Sequence, residues 1–307
     1  MAHRGPVSTP GRGFLRSLVT LVVAWGLLPG CGDHTSVGPR VAEEGSATVV
    51  SLSPAITTTM VDLGETDRLV GRTPWCRGID DRPVVGTLEG VDAEILVALQ
   101  PGVVLHQPPA SGTDPVLVGL QERLGFRLGG GRLDGVRDLL VLLDQIEGME
   151  LAAPDRIRQR RLSLEAIGAC EIPDEAPGAV LLYSVDSVGV AGEDTYLGEL
   201  GRAAGLRNLA GPGGWREWSI EMLLSAEADV VIAFTTPEME SFAQERLAAI
   251  EWLKSPAIAV ITNPNAFEPS TRMPEVLAEL RRGLEEAGVT SAGADDGSIE
   301  GEVERGA

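Results

Sequence analysis

The sequence predicts an α/β protein of two lobes, each a small parallel sheet covered by helices, joined by a long α-helix. Three observations predict this architecture. Short apolar strands alternate with amphipathic helices in both halves of the chain. Between the halves, residues 133–167 have helical spacing and no strand pattern. Residues 94–105 also align without a gap on residues 221–232, and in each segment a Glu opens a short helix that leads into a buried strand.

The N-terminus has the parts of an export signal. Three arginines precede residue 17, and residues 18–28 form an apolar stretch too short for a stable membrane span. Leu28-Pro29-Gly30-Cys31 then resembles the bacterial lipobox, in which the Cys becomes the lipidated first residue after cleavage. We therefore expect a lipoprotein signal peptide at 1–30 and an exported protein anchored to the membrane through Cys31, in the periplasm or at the cell surface. An ordinary signal peptide that leaves Cys31 as a plain thiol is the alternative.

The polar ends and the charge of the chain narrow its partners. Residues 31–46 are polar and Gly-rich, which indicates a flexible tether, and residues 291–307 form an acidic tail that we expect to be disordered. The whole chain carries a formal net charge of −20. Nucleic acid is therefore excluded as a partner, because phosphate binding needs surfaces rich in Lys and Arg.

The first lobe is expected over residues 47–132. Residues 48–52 are typical of a buried strand, and Ser53-Pro54 supplies an N-cap followed by a proline suited to the first helical turn. The helix that starts at Asp92 ends before Pro101. The other predicted elements are strands at 69–71, 84–85, 103–105 and 126–128, and a helix at 115–124.

Residues 133–169 should form the helical segment between the lobes, with helices at 133–148 and 154–167. Two ordinary surface helices of one domain are the alternative. The second lobe is expected over residues 170–290. Cys76 and Cys170 could pair in an oxidising compartment or remain separate thiols. The predicted elements of the second lobe are strands at 179–183, 229–233 and 258–261, and helices at 196–204, 219–224 and 274–287.

Short motifs follow one another in a specific order along both halves. They are Val50-Ser51-Leu52-Ser53-Pro54, Leu69-Val70-Gly71, Trp75-Cys76, Val85-Gly86, the segment 94–105, Tyr196-Leu197-Gly198-Glu199-Leu200, Ala203-Ala204-Gly205, Asn208-Leu209-Ala210, Trp215, Trp218, Glu221, Asp229-Val230-Val231-Ile232 and Arg272. Together they resemble the substrate-binding proteins of bacterial ABC importers for cobalamin, ferric siderophores and haem. This resemblance covers roughly residues 48–287 and implies two Rossmann-like lobes joined by one long helix, the class III periplasmic binding protein fold. Gly102 departs from the pattern, which usually has Asp there, and Met273 is bulkier than usual.

The resemblance also implies a role in transport. Members of this family capture a ligand between the lobes, deliver it to an ABC permease dimer, and dock through one surface Glu on each lobe. Glu94 and Glu221 stand at those two positions. A pair of carboxylates on opposite lobes suits charge-assisted recognition of a two-fold partner. The alternative is that Glu is simply favourable in the first turn of a helix.

Ligand binding is expected where strand ends of the two sheets face each other. Trp offers flat apolar area to a ring-bearing ligand, and Arg offers donors to carboxylate or chelate oxygens. Alternatively, Trp218 belongs to the core and Arg272 to the surface. We expect a metal chelate as the ligand, namely cobalamin, a ferric siderophore or haem, with a slight preference for cobalamin, and no resident cofactor or metal site. The candidate ligand-binding residues are Trp75, His106, Trp215, Trp218 and Arg272.

An enzyme is the main alternative class, but the chain lacks its usual parts. His106 is the single histidine outside the expected signal peptide and tether, so a multi-His zinc site is excluded. The sequence has no Gly-x-Ser-x-Gly elbow, no phosphate-binding loop ending in Lys-Ser or Lys-Thr, and no Gly-x-Gly-x-x-Gly after its first strand. We therefore expect no catalytic activity. A sensor or scaffold lipoprotein of the same fold is a third alternative.

Overall fold

A four-stranded, fully parallel sheet forms the first lobe in the computed structural model, which describes residues 47–87, 90–249 and 256–290. The described residues all fall in one compact unit. The strands stand in the order β2-β1-β3-β4, and they are β1 (Val49–Leu52), β2 (Leu69–Gly71), β3 (Val103–His106) and β4 (Arg127–Gly130). The helices of this lobe are α1 (Pro54–Asp62), α2 (Ala93–Leu99) and α3 (Pro115–Leu124). The strand expected at 84–85 is only an isolated bridge between Arg72 and Val84.

Several expectations lie outside the described residues: the signal peptide at 1–30, lipidation of Cys31, the tether at 31–46 and the tail at 291–307. They stay predictions, as do the lobe boundaries. Among the residues that the structure describes, no helix is both long and apolar enough to span a bilayer.

The second sheet has six strands and is mixed, so the expectation of a parallel sheet in this half was wrong in part. Strand β6 pairs antiparallel with β5 and with β8, whereas β7, β9 and β10 pair parallel. The reason is the short connection between β5 and β6, since only a tight turn and not a crossover helix separates them. The strands are β5 (Gly178–Ser184), β6 (Gly189–Ala191), β7 (Arg207–Asn208), β8 (Trp215–Glu217), β9 (Val230–Thr235) and β10 (Ala257–Thr262), and the helices are α6 (Tyr196–Ala203), α7 (Ile220–Ser225), α8 (Glu240–Ala249) and α9 (Met273–Glu286).

The two sheets share one topology once the antiparallel strands β6 and β8 are set aside. The order β2-β1-β3-β4 in the first sheet corresponds to β7-β5-β9-β10 in the second. The central register also agrees, because Val49 pairs with Val103 and Ala179 pairs with Val230. The lobes are therefore pseudo-equivalent, as the alignment of 94–105 on 221–232 predicted.

Two helices connect the lobes, α4 (Val136–Gly148) and α5 (Pro154–Gly168). At the start of α4, the Val136 backbone N–H donates to Glu199 of α6 at 2.6 Å, and near its end Gln145 bonds both the N–H and the carbonyl of Gly130. Helix α5 returns from the first lobe, where Arg156 donates to the Leu63 carbonyl at 2.7 Å. Its 15 residues span about 22 Å. The predicted helical connection between the lobes is thus a helix pair.

The side chains of the central strands point alternately to the two faces of each sheet and pack in three core clusters. Val49, Val103 and Leu181 face a large central cluster that also contains Leu143 of α4 and Leu164 of α5. The residues on the opposite strand faces pack under the outer helices of each lobe. The helix pair therefore shares one continuous core with both sheets.

Candidate functional site

Trp215, the first residue of β8, forms an exposed aromatic surface supported from behind. Its side chain is 42% exposed. The Tyr183 ring meets it edge-on, with centroids 5.1 Å apart, and the Tyr196 ring lies tilted at 5.4 Å. These are the only two tyrosines in the sequence. Two rings behind a half-exposed indole fix its orientation, which suits contact with a flat ligand.

The loop before Trp215 is held close to the turn that precedes α6. The backbone N–H of Gly192 donates to the Gly214 carbonyl, and that of Gly213 donates to the Asp194 carboxylate at 2.9 Å. A Cβ at Gly192 would lie 2.2 Å from the Gly213 carbonyl, so only glycine permits this approach. The sequence therefore positions Trp215 through backbone contacts of its own loop.

Trp75 is the second exposed indole, in the loop after β2, and 58% of its side chain is exposed. The next residue, Cys76, is buried, and its Sγ lies 3.0 Å from the Thr57 hydroxyl and 3.1 Å from the Thr73 hydroxyl. Arg72 donates to backbone carbonyls at both ends of the loop. The loop is thus anchored from inside while its indole faces outward. Both Cys76 and Cys170 are free, as in the separate-thiol alternative.

The bridging loop, residues 263–272 between β10 and α9, is bonded by one neighbour of each of these two indoles. From the first lobe, Arg77 donates to the Pro264 carbonyl and to the Glu268 carboxylate at 2.8 Å. From the second lobe, the Tyr196 hydroxyl donates to the Ala266 carbonyl at 3.0 Å. Arg77 lies two residues after Trp75, and the Tyr196 ring contacts Trp215, so each exposed indole has a close neighbour that bonds this loop.

Phe267 adds a third exposed ring to this region. It is 41% exposed and lies between Ala266 and Glu268, whose polar groups bond the two lobes. The Asn263 side chain accepts from the Asn265 backbone N–H at 2.8 Å and so shapes the turn that presents it. Sequence reasoning missed Phe267. The turn signal Asn263-Pro264-Asn265 directly after a buried strand could have indicated it.

Arg132 and the two tyrosines are further residues near the site that sequence reasoning did not select. Arg132 is exposed and donates to Asp134 at 2.8 Å, and this hydrogen bond raises the pKa of the guanidinium. The Asp134 carbonyl accepts from the Tyr196 backbone N–H at 2.7 Å. Arg132 thus lies two residues before Asp134, which bonds the backbone of Tyr196, and it lines a cavity of about 160 Å³ beside α4.

His106 lines a small pocket in the first lobe. It is the last residue of β3, on the same strand face as Val104, and lines a pocket of about 10 Å³ with Leu52 and Leu117. That pocket has room for about one water molecule. Burial lowers the pKa of the imidazole, so the ring is neutral at pH 7. The ligand role of His106 stays a prediction.

Trp218 and Arg272 have structural partners. Trp218 packs against the outer cluster of the second lobe, and its backbone N–H donates to the Val188 carbonyl. The Arg272 guanidinium forms an ion pair with Asp62 at 3.2 Å, and the Asp62 side chain is 1% exposed. These placements agree with the alternatives of core and non-ligand positions, while any contact with a ligand stays a prediction.

Glu94 and Glu221 occupy equivalent places in the two lobes. Each is the second residue of a short helix, after an N-cap whose side chain accepts from backbone N–H groups, Asp92 for α2 and Ser219 for α7. Each helix ends near a residue with positive φ at the same offset, Gln100 and Glu227. Both carboxylates are exposed. Hydrogen bonds from its own backbone N–H and from the Ser219 hydroxyl lower the pKa of Glu221, which keeps it ionised.

The polar groups around the bridging loop carry no metal-binding constellation. Within residues 47–87, 90–249 and 256–290, no cluster of three or more His, Cys, Asp or Glu side chains could hold a metal ion. Hydrogen bonds from the Thr236 hydroxyl and from its own backbone N–H, with a smaller contribution from the positive charge of Arg77, lower the pKa of Glu238 in the turn after β9. Burial raises the pKa of Tyr196. The described site therefore consists of exposed aromatic side chains and charged side chains such as Arg77 and Glu268.

Comparison with known proteins shows the fold. No protein-family model matches the sequence, and no curated protein matches it significantly. Among solved structures, the periplasmic haem-binding protein HutB of Vibrio cholerae is 19% identical, covers 78% of this chain and 98% of its own, and has a TM-score of 0.64. The haem-binding protein RhuT of Roseiflexus sp. RS-1, in its apo form, is 21% identical, covers 79% of this chain and 99% of its own, and has a TM-score of 0.61. The vitamin B12-binding protein BtuF of Vibrio cholerae is 15% identical, covers 80% of this chain and 99% of its own, and has a TM-score of 0.58. The predicted class III fold is confirmed.

Proposed function

We propose that this chain is the solute-binding component of an ABC import system. It captures a metal chelate of the cobalamin, ferric-siderophore or haem class between its lobes and delivers it to a permease dimer. The observation that carries this proposal is that each lobe presents an exposed indole, Trp75 and Trp215, beside a residue that bonds the bridging loop, Arg77 and Tyr196. A fold shared with periplasmic proteins named for haem or vitamin B12 supports the same function. Binding rather than catalysis is the role we assign.

The equivalence of Glu94 and Glu221 supports docking onto a two-fold partner. Both carboxylates are exposed at the same position of capped helices in pseudo-equivalent lobes. Two such charges can engage two equivalent cationic pockets on a permease dimer. Apolar side chains flank both sites, since Val97 on α2 and Met222 on α7 are 40% and 50% exposed. An apolar surround excludes water and strengthens the charge contact.

The location proposed for this function is outside the cytoplasm. The export signal at 1–30 and the lipidation motif at Cys31 support an exported, membrane-anchored lipoprotein in the periplasm or at the cell surface. An anchored receptor stays near its permease, and the tether leaves its lobes free to dock.

Uptake of the ligand by cells that carry the Glu94→Ala/Glu221→Ala double variant tests the proposal. We expect uptake to fall at least tenfold, while the affinity of the purified variant for the ligand stays unchanged. The matched control is Glu122→Ala/Glu286→Ala, which removes one exposed helix carboxylate from each lobe at unrelated places. Normal uptake by the docking variant would contradict permease delivery, and a sensor or scaffold would then explain the fold better.

A further inference from the structure

We infer, resting on the proposed function, that the ligand is a chelate whose metal is already fully coordinated when it binds. A corrinoid with both axial positions filled and a hexadentate ferric siderophore belong to this class. Haem with open axial positions does not. The protein would then contact ligand faces and edges and donate no side chain to the metal.

The argument starts from the groups that can bind an open metal position. Haem iron in proteins takes its axial ligand from His, Cys, Met or Tyr. From residue 47 onward, the sequence contains ten such residues and the structure describes all of them. They are His106, Tyr183, Tyr196, Cys76, Cys170, Met60, Met149, Met222, Met239 and Met273.

Tyr196, next to Trp215, already has a hydrogen-bond partner within the protein. Its hydroxyl donates to the Ala266 carbonyl at 3.0 Å, and its side chain is buried. Iron binds tyrosine as the phenolate, but burial keeps this group a phenol by raising its pKa. Tyr196 therefore supports Trp215 and the bridging loop and has no free oxygen for a metal.

The two thiols have hydrogen-bond partners inside the protein, and the imidazole lies in a small pocket. Cys76 is buried between the Thr57 and Thr73 hydroxyls, and the Cys170 thiol donates to the Ala166 carbonyl at 3.2 Å at the end of α5. His106 lines a pocket of about 10 Å³, far smaller than a tetrapyrrole. We therefore expect none of these three side chains to bond the metal of the ligand.

Among the methionines, Met60 and Met273 are buried and Met149 packs against the central cluster. Met222 is exposed, but it follows Glu221 on α7, at the surface proposed for permease docking. Tyr183 and Met239 remain. The Tyr183 ring meets Trp215 edge-on and lies over Gly189, where a Cβ would come 2.5 Å from it, so it serves as support for the indole. Met239 is 48% exposed in the turn after β9, and a thioether is a weak acceptor.

The side chains that the site does present suit a saturated chelate. Exposed rings of Trp75, Trp215 and Phe267 offer apolar area for ligand faces. The exposed guanidinium groups of Arg77 and Arg132 can bond carboxylate, amide or hydroxamate oxygens on ligand edges. Recognition by faces and edges needs no metal bond.

Titration of the purified chain with four probes tests this inference: cyanocobalamin, dicyanocobinamide, a ferric trihydroxamate siderophore, and haemin with or without imidazole to fill its axial positions. Tryptophan fluorescence reports affinity, and ligand absorption reports metal coordination. We expect a saturated probe to bind with its absorption spectrum unchanged. The Tyr183→Phe and Met239→Leu variants should leave the absorption spectrum of the bound probe unchanged. Met239→Leu should bind it within about twofold of the native chain, whereas Trp215→Ala should weaken binding about tenfold or more.

Two results would overturn the inference, and they differ from each other. If haemin alone binds best, with a shift of its absorption that Tyr183→Phe or Met239→Leu abolishes, the protein supplies an axial ligand and only the inference fails. If no probe binds at all, the proposed function itself fails. Binding of imidazole-filled haemin with no effect of either variant would support saturation of the metal and identify haem as the bound macrocycle.

Discussion

Trp215 and Trp218 lie three residues apart and have opposite environments. Trp215 is half-exposed against two tyrosine rings, whereas Trp218 packs against the outer cluster of the second lobe. The strand β8 explains the difference, because Trp215 begins it and Trp218 follows its end. One indole is free to contact a ligand, and the other stabilises the lobe.

Alanine substitution should separate these two roles. Trp215→Ala should lower ligand affinity about tenfold or more and destabilise the free protein by only about 1 kcal/mol. Trp218→Ala should destabilise it by about 2 kcal/mol, because it removes buried apolar area, and leave ligand affinity nearly unchanged. Urea unfolding and ligand titration of both variants check this. Equal losses of affinity would place Trp218 in the site as well.

Glu199, which bonds the start of α4, should make the stability of the folded protein depend on pH. Its carboxylate accepts from the first backbone N–H of α4 at 2.6 Å, and burial raises its pKa despite that hydrogen bond. A raised pKa in the folded state means that folding favours the protonated acid. The stability linked to Glu199 is therefore present below its ordinary pKa of 4.5 and is lost as the pH rises through the folded pKa.

The Glu199→Gln variant should remove this dependence. Gln can still accept from the Val136 N–H but cannot ionise, so the native protein should lose stability relative to the variant as the pH rises from about 4.5 to 7.5. Unfolding free energies of both proteins across this range provide the measurement. A difference that stays constant with pH would show that Glu199 keeps an ordinary pKa in the folded protein.

At the scale of the elements, the end of α1 joins both lobes to the helix connection. The Asp62 carboxylate accepts from Arg160 of α5 at 2.6 Å and from the Thr271 hydroxyl at 2.6 Å, and it pairs with Arg272. Its side chain is 1% exposed. This buried carboxylate has three donors, one from α5 and two from the bridging loop. It therefore fixes the relative positions of α1, α5 and the bridging loop.

Loss of this charge should be costly. Asp62→Asn should destabilise the protein by about 2–3 kcal/mol, because two guanidinium groups lose their buried counter-charge. The matched control is Asp144→Asn on α4, whose side chain is 63% exposed and pairs with Arg161. That change should cost no more than about 1 kcal/mol. Similar costs for both variants in chemical unfolding would contradict a special role for Asp62.

The regular elements were predictable because their signals are local. The strand at 48–52 with its Ser53-Pro54 helix start matches β1 and α1, and the alignment of 94–105 on 221–232 predicted the equivalence of α2–β3 and α7–β9. The strands β6, β7 and β8 were missed because two or three residues give no period. The support of Trp215 by Tyr183 and Tyr196 was missed because it joins segments far apart in sequence.

At the scale of the molecule, the lobes are linked at several points. The helix pair shares the central core with both sheets, the Asp62 group joins them beside α5, and Arg77 and Thr58 of the first lobe both bond Glu268 of the second. A helical connection with lateral bonds resists bending more than loose linkers do. We therefore expect only small changes in lobe orientation when a ligand binds.

Small-angle scattering of the free and ligand-saturated protein checks this expectation. The two curves should superimpose closely for the native chain. Arg77→Ala removes the bond to Glu268 and should make the curve of the free protein differ more from that of the bound protein. Large closure of the native protein on ligand addition would contradict a stiff connection.

The central claim is that a metal chelate binds between the lobes through their exposed aromatic side chains, and thermal unfolding with a panel of cobalamin, cobinamide, haemin and ferric siderophores tests it most directly. A ligand at a hundredfold excess over its dissociation constant should stabilise the protein by about 2.7 kcal/mol. We predict that at least one member of the panel does so and that Trp215→Ala loses most of this gain. Unchanged unfolding with every member of the panel would contradict the claim.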